Sequence, residues 1–172
     1  SEEGRDVVVG LVETHGRSGT KDMLEGLEVL PRKVMEYKGR DLEVFDLDGA
    51  LERHPEILLV DELAHSNLGE SRHAKRWGDI LELLDAGIEV HTTLNVQHLE
   101  SVADVVSHLA RVPIKELVPD SILERAEEIV LVDLTPDELL LRLNAGKIYA
   151  PDLAQSAQKG FFQKTHLLAL RE

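Results

Sequence analysis

The sequence predicts an α/β fold in three layers, a mostly parallel sheet with helices on both faces. Two observations lead there. Short apolar runs rich in β-branched residues, such as Val7–Val12 and Ile57–Val60, read as buried strands, and they alternate with stretches whose apolar residues recur every three to four positions. The run Ile57-Leu58-Leu59-Val60 also delivers two adjacent carboxylates, Asp61 and Glu62, to its carboxyl end, where open α/β sheets place their ligands.

Each element follows from the chain in order. Val7 to Val12 is the first strand, and Glu13-Thr14-His15-Gly16-Arg17 is the polar turn that ends it. A helix is expected from Thr20, a capping residue, to Leu27, then a small edge strand over Val34–Tyr37. Leu42–Glu52 reads as a helix that Pro55 separates from the strand Ile57–Val60. Ala74–Ala86 carries Trp77, Ile80, Leu81 and Leu84 at helical spacing, with Gly87 as its stop. A strand over Glu89–Leu94, a helix from Leu99 to Leu109 and a strand over Ile129–Leu134 continue the alternation. Pro136 opens a helix at its favoured first position, with Leu139, Leu140 and Leu143 inward. Residues 1–150 are expected to form the α/β domain, and 151–172 a helical extension of it with a break near Gly160.

Composition narrows the function. The 172 residues suffice for one domain with its own core, and with aromatics at 3% that core must be aliphatic. Absence of cysteine removes disulfides and thiolate metal sites and fits a reducing compartment. A net charge of −14 argues against nucleic acid as a partner. No apolar run approaches the ~18–20 residues of a membrane span, so direct membrane insertion of this segment is not expected, nor is a secretory signal ahead of Val7.

Three strand ends carry the chemistry. Asp61 and Glu62 have the placement that phosphoryl-transfer proteins of the P-loop class use. One carboxylate there holds the shell of a nucleotide-bound Mg²⁺, and a second orients an attacking water. Two solvated or helix-capping acids are the competing explanation. The next strand ends in Thr92-Thr93-Leu94-Asn95-Val96-Gln97-His98, whose hydroxyl and amide groups suit either a phosphate or a helix cap. At the first strand end, Arg17 suits a phosphate or a surface ion pair. The loop after the acids is basic within an acidic chain, and Arg72, Lys75 and Arg76 lie near a predicted helix N-terminus, where the dipole disfavours them. Arg72 and Arg76 are therefore candidate phosphate clamps. The phosphate loop itself, G-x-x-x-x-G-K-[ST], does not occur; Gly16-Arg17-Ser18-Gly19-Thr20-Lys21 has the wrong spacing.

Other chemistries fare worse. The eight histidines show no H-x-x-H, H-x₃-H or H-E-x-x-H spacing, so His65, His73, His91 and His98 would have to converge through folding to bind a metal. No G-x-S-x-G elbow points to a serine hydrolase. Asp61-Glu62-Leu63-Ala64-His65 is a helicase D-E-A-H box with one residue inserted, in a chain too acidic for that role.

Longer strings carry more. Val7–Arg17, Leu59–Asn67, Ser71–Trp77, Thr93–Ser101, Val118–Ser121 and Gly146–Pro151, in that order, strongly resemble the N-terminal cytoplasmic domain of the KdpD family of bacterial potassium-sensor histidine kinases, over essentially the whole chain. The resemblance implies a P-loop nucleotide-binding-like fold with Asp61 and Glu62 in the Walker B positions. It implies ATP and Mg as cofactors, with Asp61 on the Mg through the nucleotide and Glu62 the candidate catalytic residue. Thr93, Asn95, Arg72 and Arg76 complete the expected nucleotide set.

The implied role is a regulatory input domain without the kinase core, in the cytoplasm, within an inner-membrane two-component sensor kinase that controls a high-affinity potassium-transport ATPase. The implied partners are the other domains of the kinase, its cognate response regulator and a second copy of the full-length protein. An active Mg-dependent ATPase with Glu62 as the water-orienting base is the alternative. The family's Walker A segment is expected just ahead of residue 1. Loss of its strand is expected to leave strand edges unpaired in the middle of the sheet.

Overall fold

A computed structural model of the chain describes residues 4–14, 18–110 and 113–144. The chain divides into two compact units, Ser1–Glu13 with Leu24–His98, and Thr14–Met23 with Leu99–Glu172.

The first unit is built on a four-stranded parallel sheet. Its strands are β1 (Val7–Leu11), β2 (Glu28–Val29), β5 (Ile57–Val60) and β6 (Glu89–Thr92), in the order β2-β1-β5-β6. β1 and β5 lie inside, which is why both are almost continuously apolar: Val8, Val9, Leu11, Leu58 and Val60 are buried. Gly10 sits where the β1–β5 register shifts, and a Cβ there would meet Phe45 Cε2 at 2.9 Å, so the strand passes too close to the core for a side chain. The interruption expected in the middle of the sheet is absent. The four strands are contiguous, and the unpaired edges among the described residues belong to β2 and β6, at the margins.

Between β2 and β5 runs an antiparallel hairpin, β3 (Lys33–Tyr37) and β4 (Arg40–Val44), followed by helix α2 (Leu47–Arg53). This corrects the helix expected over 42–52. Its first residues instead pair with β3, Met35 with Leu42 and Lys33 with Val44, and the helix starts only after Asp46, whose carboxylate accepts from the Gly49 amide at 3.1 Å. The hairpin closes through Lys38 and Gly39, both left-handed at φ +50° and +75°, as a two-residue turn between right-twisted strands requires. Helix α3 (Arg76–Asp85) then packs Ile80 and Leu83 into the core, and Gly87 at φ +86° turns the chain into β6.

In the second unit the described elements are α1 (Ser18–Met23), α4 (Glu100–Ala110), a 3₁₀ turn over Asp120–Arg125 and α5 (Pro136–Asn144). α1 begins and ends earlier than Thr20–Leu27. Thr135 caps α5, exchanging hydrogen bonds with Glu138 three residues on. The strand expected over 129–134 is not formed. No neighbouring strand offers a ladder there among the described residues, and Ile129, Val130, Leu131 and Val132 are 66–84% exposed. The expected helical extension over 151–172, with its break near Gly160, lies outside the described residues. Among the described residues no helix is long and apolar enough to cross a membrane.

Candidate functional site

The site forms at the carboxyl ends of β5 and β6. Because β5 and β6 are parallel and in register, Val60 opposite Thr92, the residues that follow them, Asp61 and Thr93, emerge side by side. Asp61 is held on three sides. The Thr93 hydroxyl and the Glu62 amide (3.0 Å) both donate to its Oδ1, and the Glu13 amide, from the end of β1, donates to its Oδ2 at 3.3 Å. Its own amide closes the β1 ladder on Leu11 O at 2.9 Å. Three neighbouring strand ends thus meet at one carboxylate.

Glu62 stands beside it in an unusual backbone. Its φ of +58° lies in the left-handed region, which a glutamate seldom occupies. The chain leaves β5 through a turn in which the His65 amide donates to Glu62 O at 3.0 Å, and the Leu63 amide donates to Thr93 O at 2.9 Å. The Glu62 carboxylate is 41% exposed, with Oε2 3.7 Å from His65 Nδ1 and 3.8 Å from the Arg76 guanidinium.

Arg76, the first residue of α3, lies beneath this turn with its side chain only 5% exposed. Its Nη1 donates to the carbonyls of Asp61 (3.0 Å) and Glu62 (3.4 Å), while its buried Nε has no hydrogen-bond partner. Burial pushes its pKa below the usual arginine value, against the opposing pull of Glu62, Asp79, Asp61 and Glu13. Nearby, Asn67 Nδ2 donates to His73 O at 3.0 Å and to the buried Asp79 at 2.7 Å. Burial raises the Asp79 pKa, and the Asn67 bond, His73 and Arg76 act in the other direction.

The other candidates separate by environment. Arg72 is exposed and ion-paired with Asp48 and Glu82, contacts that raise its pKa, Asp48 most strongly. Lys75 donates to Ser66 Oγ at 2.7 Å. The bases around the start of α3 therefore each have a partner within the chain, which offsets their unfavourable place on the helix dipole. Asn95 is exposed, and its carbonyl accepts from the His98 amide at 3.0 Å. Arg17 lies outside the described residues. Among the described residues no three His, Cys, Asp or Glu side chains converge to hold a metal on their own. The donor set at the strand ends, two carboxylates and a hydroxyl, consists of oxygen ligands that suit a hard cation shared with a phosphate.

Sequence reasoning missed two participants and one residue that staples the neighbouring loop without touching the two acids. Glu13 contributes through its amide, which no sequence pattern marks. The sequence marks His65 as a metal candidate and as part of a helicase-like string, yet its ring faces Glu62. Asn67 lies in the loop singled out for its charge, and its role depends on Asp79, twelve residues away.

Comparison with known proteins adds the context. Residues 1–172 match the family model described as KdpD, osmosensitive K⁺ channel His kinase sensor domain. The chain is 56% identical over 170 residues to a Sensor protein KdpD of Escherichia coli (strain K12), covering 99% of this chain and 19% of that protein. It is 50% identical over 171 residues to a Sensor protein KdpD of Clostridium acetobutylicum, covering 99% of this chain and 19% of that protein. A Sensor protein KdpD of Mycobacterium tuberculosis is 46% identical over 171 residues, with 99% and 20% covered. The chain spans about a fifth of the length of these relatives.

Proposed function

We infer the function from one premise: the chain belongs to the KdpD family of osmosensitive K⁺ channel His kinase sensor domains. On that premise it is the ATP-binding regulatory input domain of a sensor histidine kinase in a two-component system. The whole protein sits in the inner membrane with this domain in the cytoplasm. It acts as a homodimer, signals to its cognate response regulator and governs a high-affinity potassium-transport ATPase. The kinase core is elsewhere in that protein.

One observation carries the nucleotide reading: Asp61 and Glu62 at the carboxyl end of an interior parallel strand, with Thr93 from the adjacent strand bonded to Asp61. Bound Mg²⁺ would supply charge neutralisation between nucleotide phosphates. Asp61, already oriented by three donors, is the residue that would hold its shell. Thr93 fixes Asp61, Asn95 is exposed at the same strand end, and Arg72 would serve a phosphate only by giving up Asp48 and Glu82. Nucleotide occupancy shifts the balance of kinase and phosphatase activity to the extent that two states of the protein bind it differently.

The finer fold assignment, a three-layer P-loop-like domain, belongs to this reading. The class requires a further parallel strand carrying the Gly-rich phosphate loop. The parallel sheet supports the assignment, with Asp61 and Glu62 at the carboxyl end of its interior strand β5, and among the described residues one edge of β6 carries no partner strand. The alternative, an active ATPase, draws on the half-exposed Glu62 carboxylate as the group that orients water.

The test uses the full-length protein at varied Mg-ATP. The regulatory reading expects Asp61→Asn to change the kinase-to-phosphatase ratio and its ATP dependence. An unchanged ratio contradicts it. For the alternative, turnover equal to that of Glu62→Gln removes the ATPase.

A further inference from the structure

Glu62 is bracketed by one donor. The Arg76 Nη1 reaches the carbonyl ahead of Glu62, that of Asp61, at 3.0 Å and the carbonyl of Glu62 itself at 3.4 Å. In extended backbone, successive carbonyls point to opposite sides and no single N–H group can serve both. In a helical conformation of either hand they point the same way. A donor shared by both carbonyls therefore excludes an extended Glu62 and, with the His65 amide on Glu62 O at 3.0 Å, is satisfied by the left-handed backbone seen at φ +58°, offsetting part of the cost of that conformation for a residue with a Cβ.

The burial of Arg76 fits this role and not a ligand's. Its side chain is 5% exposed, and α3 supports it from below, where the Arg76 amide donates to His65 O at 3.0 Å. The Glu62 amide is fixed from the opposite side by Thr93 Oγ1 at 3.2 Å and Asp61 Oδ1 at 3.0 Å. Amide and carbonyls together fix the direction in which the Glu62 Cα–Cβ bond leaves the backbone.

We propose that Arg76 is a positioning residue of the nucleotide site: by holding the carbonyls on both sides of Glu62 it stabilises the left-handed turn from which the Glu62 side chain departs, and it does not itself contact the ligand. This rests on Asp61 and Glu62 being the Mg-nucleotide site. It departs from the phosphate-clamp role that the sequence suggested for Arg76. It also makes the first turn of α3 the element that responds when Glu62 moves.

The test compares Arg76→Met, Arg76→Lys and Asn67→Ala in the full-length protein. Asn67 staples the same loop to α3 through His73 and Asp79, but no hydrogen bond from its side chain reaches Asp61 or Glu62. Two readouts are taken: affinity for Mg-ATP within the binding component that Asp61→Asn removes, with Mg-free ATP titrated as a reference, and amide exchange at Glu62 and Leu63.

Arg76→Met is expected to weaken Mg-ATP binding about tenfold, to leave Mg-free ATP unchanged and to speed exchange at both amides. Arg76→Lys, which donates as a point charge without the planar fork, falls between. Asn67→Ala keeps wild-type Mg dependence. Equal losses in Arg76→Met and Asn67→Ala, or unaltered Mg dependence and exchange in both Arg76 variants, would overturn the proposal. If the wild-type protein has no Asp61-dependent ATP binding, the nucleotide reading fails by itself. Exchange at Glu62 and Leu63 then decides the positioning role: faster exchange in the Arg76 variants sustains it and unchanged exchange overturns it.

Discussion

The hydroxyl of Thr93 donates to Oδ1 of Asp61, joining the carboxyl ends of two adjacent parallel strands by side chains just where the backbone ladder ends. The same hydroxyl accepts from the Glu62 amide at 3.2 Å, so a single atom organises both acids. Thr93→Val keeps the shape and removes the bonds. It is expected to cost about 1 kcal/mol in thermal or urea unfolding and to weaken Asp61-dependent Mg-ATP binding, while Thr93→Ser retains both properties.

Glu62 offers a test of backbone strain. At ordinary positions glycine is less stable than alanine, because it loses more freedom on folding. At φ +58° the order reverses. Glu62→Gly is expected to be more stable than Glu62→Ala by about 1 kcal/mol, although both lack the carboxylate. Denaturant midpoints at constant slope measure the difference.

Gly78 in α3 shows the opposite restraint. Helix propensity alone favours Gly→Ala by about 1 kcal/mol. A Cβ here would stand 2.9 Å from the Cβ of His73 and 3.0 Å from its Cγ, atoms that cannot swing away as a flexible side-chain end can. His73 is further held through Nε2 to Glu82 at 2.6 Å. Gly78→Ala is therefore expected to destabilise by about 1–3 kcal/mol, read as a lowered melting temperature.

Much of this was legible in the sequence, and the exceptions have physical reasons. β1, β5 and α3 announce themselves because burial imposes a continuous apolar run on an interior strand and a 3.6-residue period on a helix. The place of Asp61 and Glu62 followed from β5 alone. The hairpin β3–β4 did not, because its turn uses Lys38, a side chain that carries no sign of a left-handed backbone. Leu42 to Val44 consequently merged with the helix behind them. Residues 129–134 have a strand's composition, but a strand also needs a ladder partner, which composition cannot supply. The local sequence around Arg76 shows a basic cluster before an amphipathic helix. That its guanidinium is buried and turned to two carbonyls depends on contacts fourteen and fifteen residues away.

Asp79 gives a pH signature. Burial raises its pKa in the folded protein, so the folded state holds the proton more tightly than the unfolded chain. Its contribution to stability is fully present below the unfolded value of about 4 and is lost as pH rises through the raised folded value. Asp6 and Glu28, whose pKa values Arg53 lowers, carry the opposite sign: their contribution is present above the unfolded value and fades as pH falls. Asp79→Asn removes only the first effect. The stability of the variant relative to wild type should therefore increase with pH above about 4 and then level off, followed by melting temperature across pH 4–8. A constant difference would remove Asp79 as a titrating group.

Whether the strand end carrying Asp61 and Glu62 binds Mg-nucleotide is read from calorimetric titration of the full-length protein with Mg-ATP. The kinase core contributes its own nucleotide binding, so the informative quantity is the difference between wild type and Asp61→Asn. Wild type is expected to show a Mg-dependent binding component that Asp61→Asn lacks. Identical stoichiometry and affinity in the two proteins would contradict it.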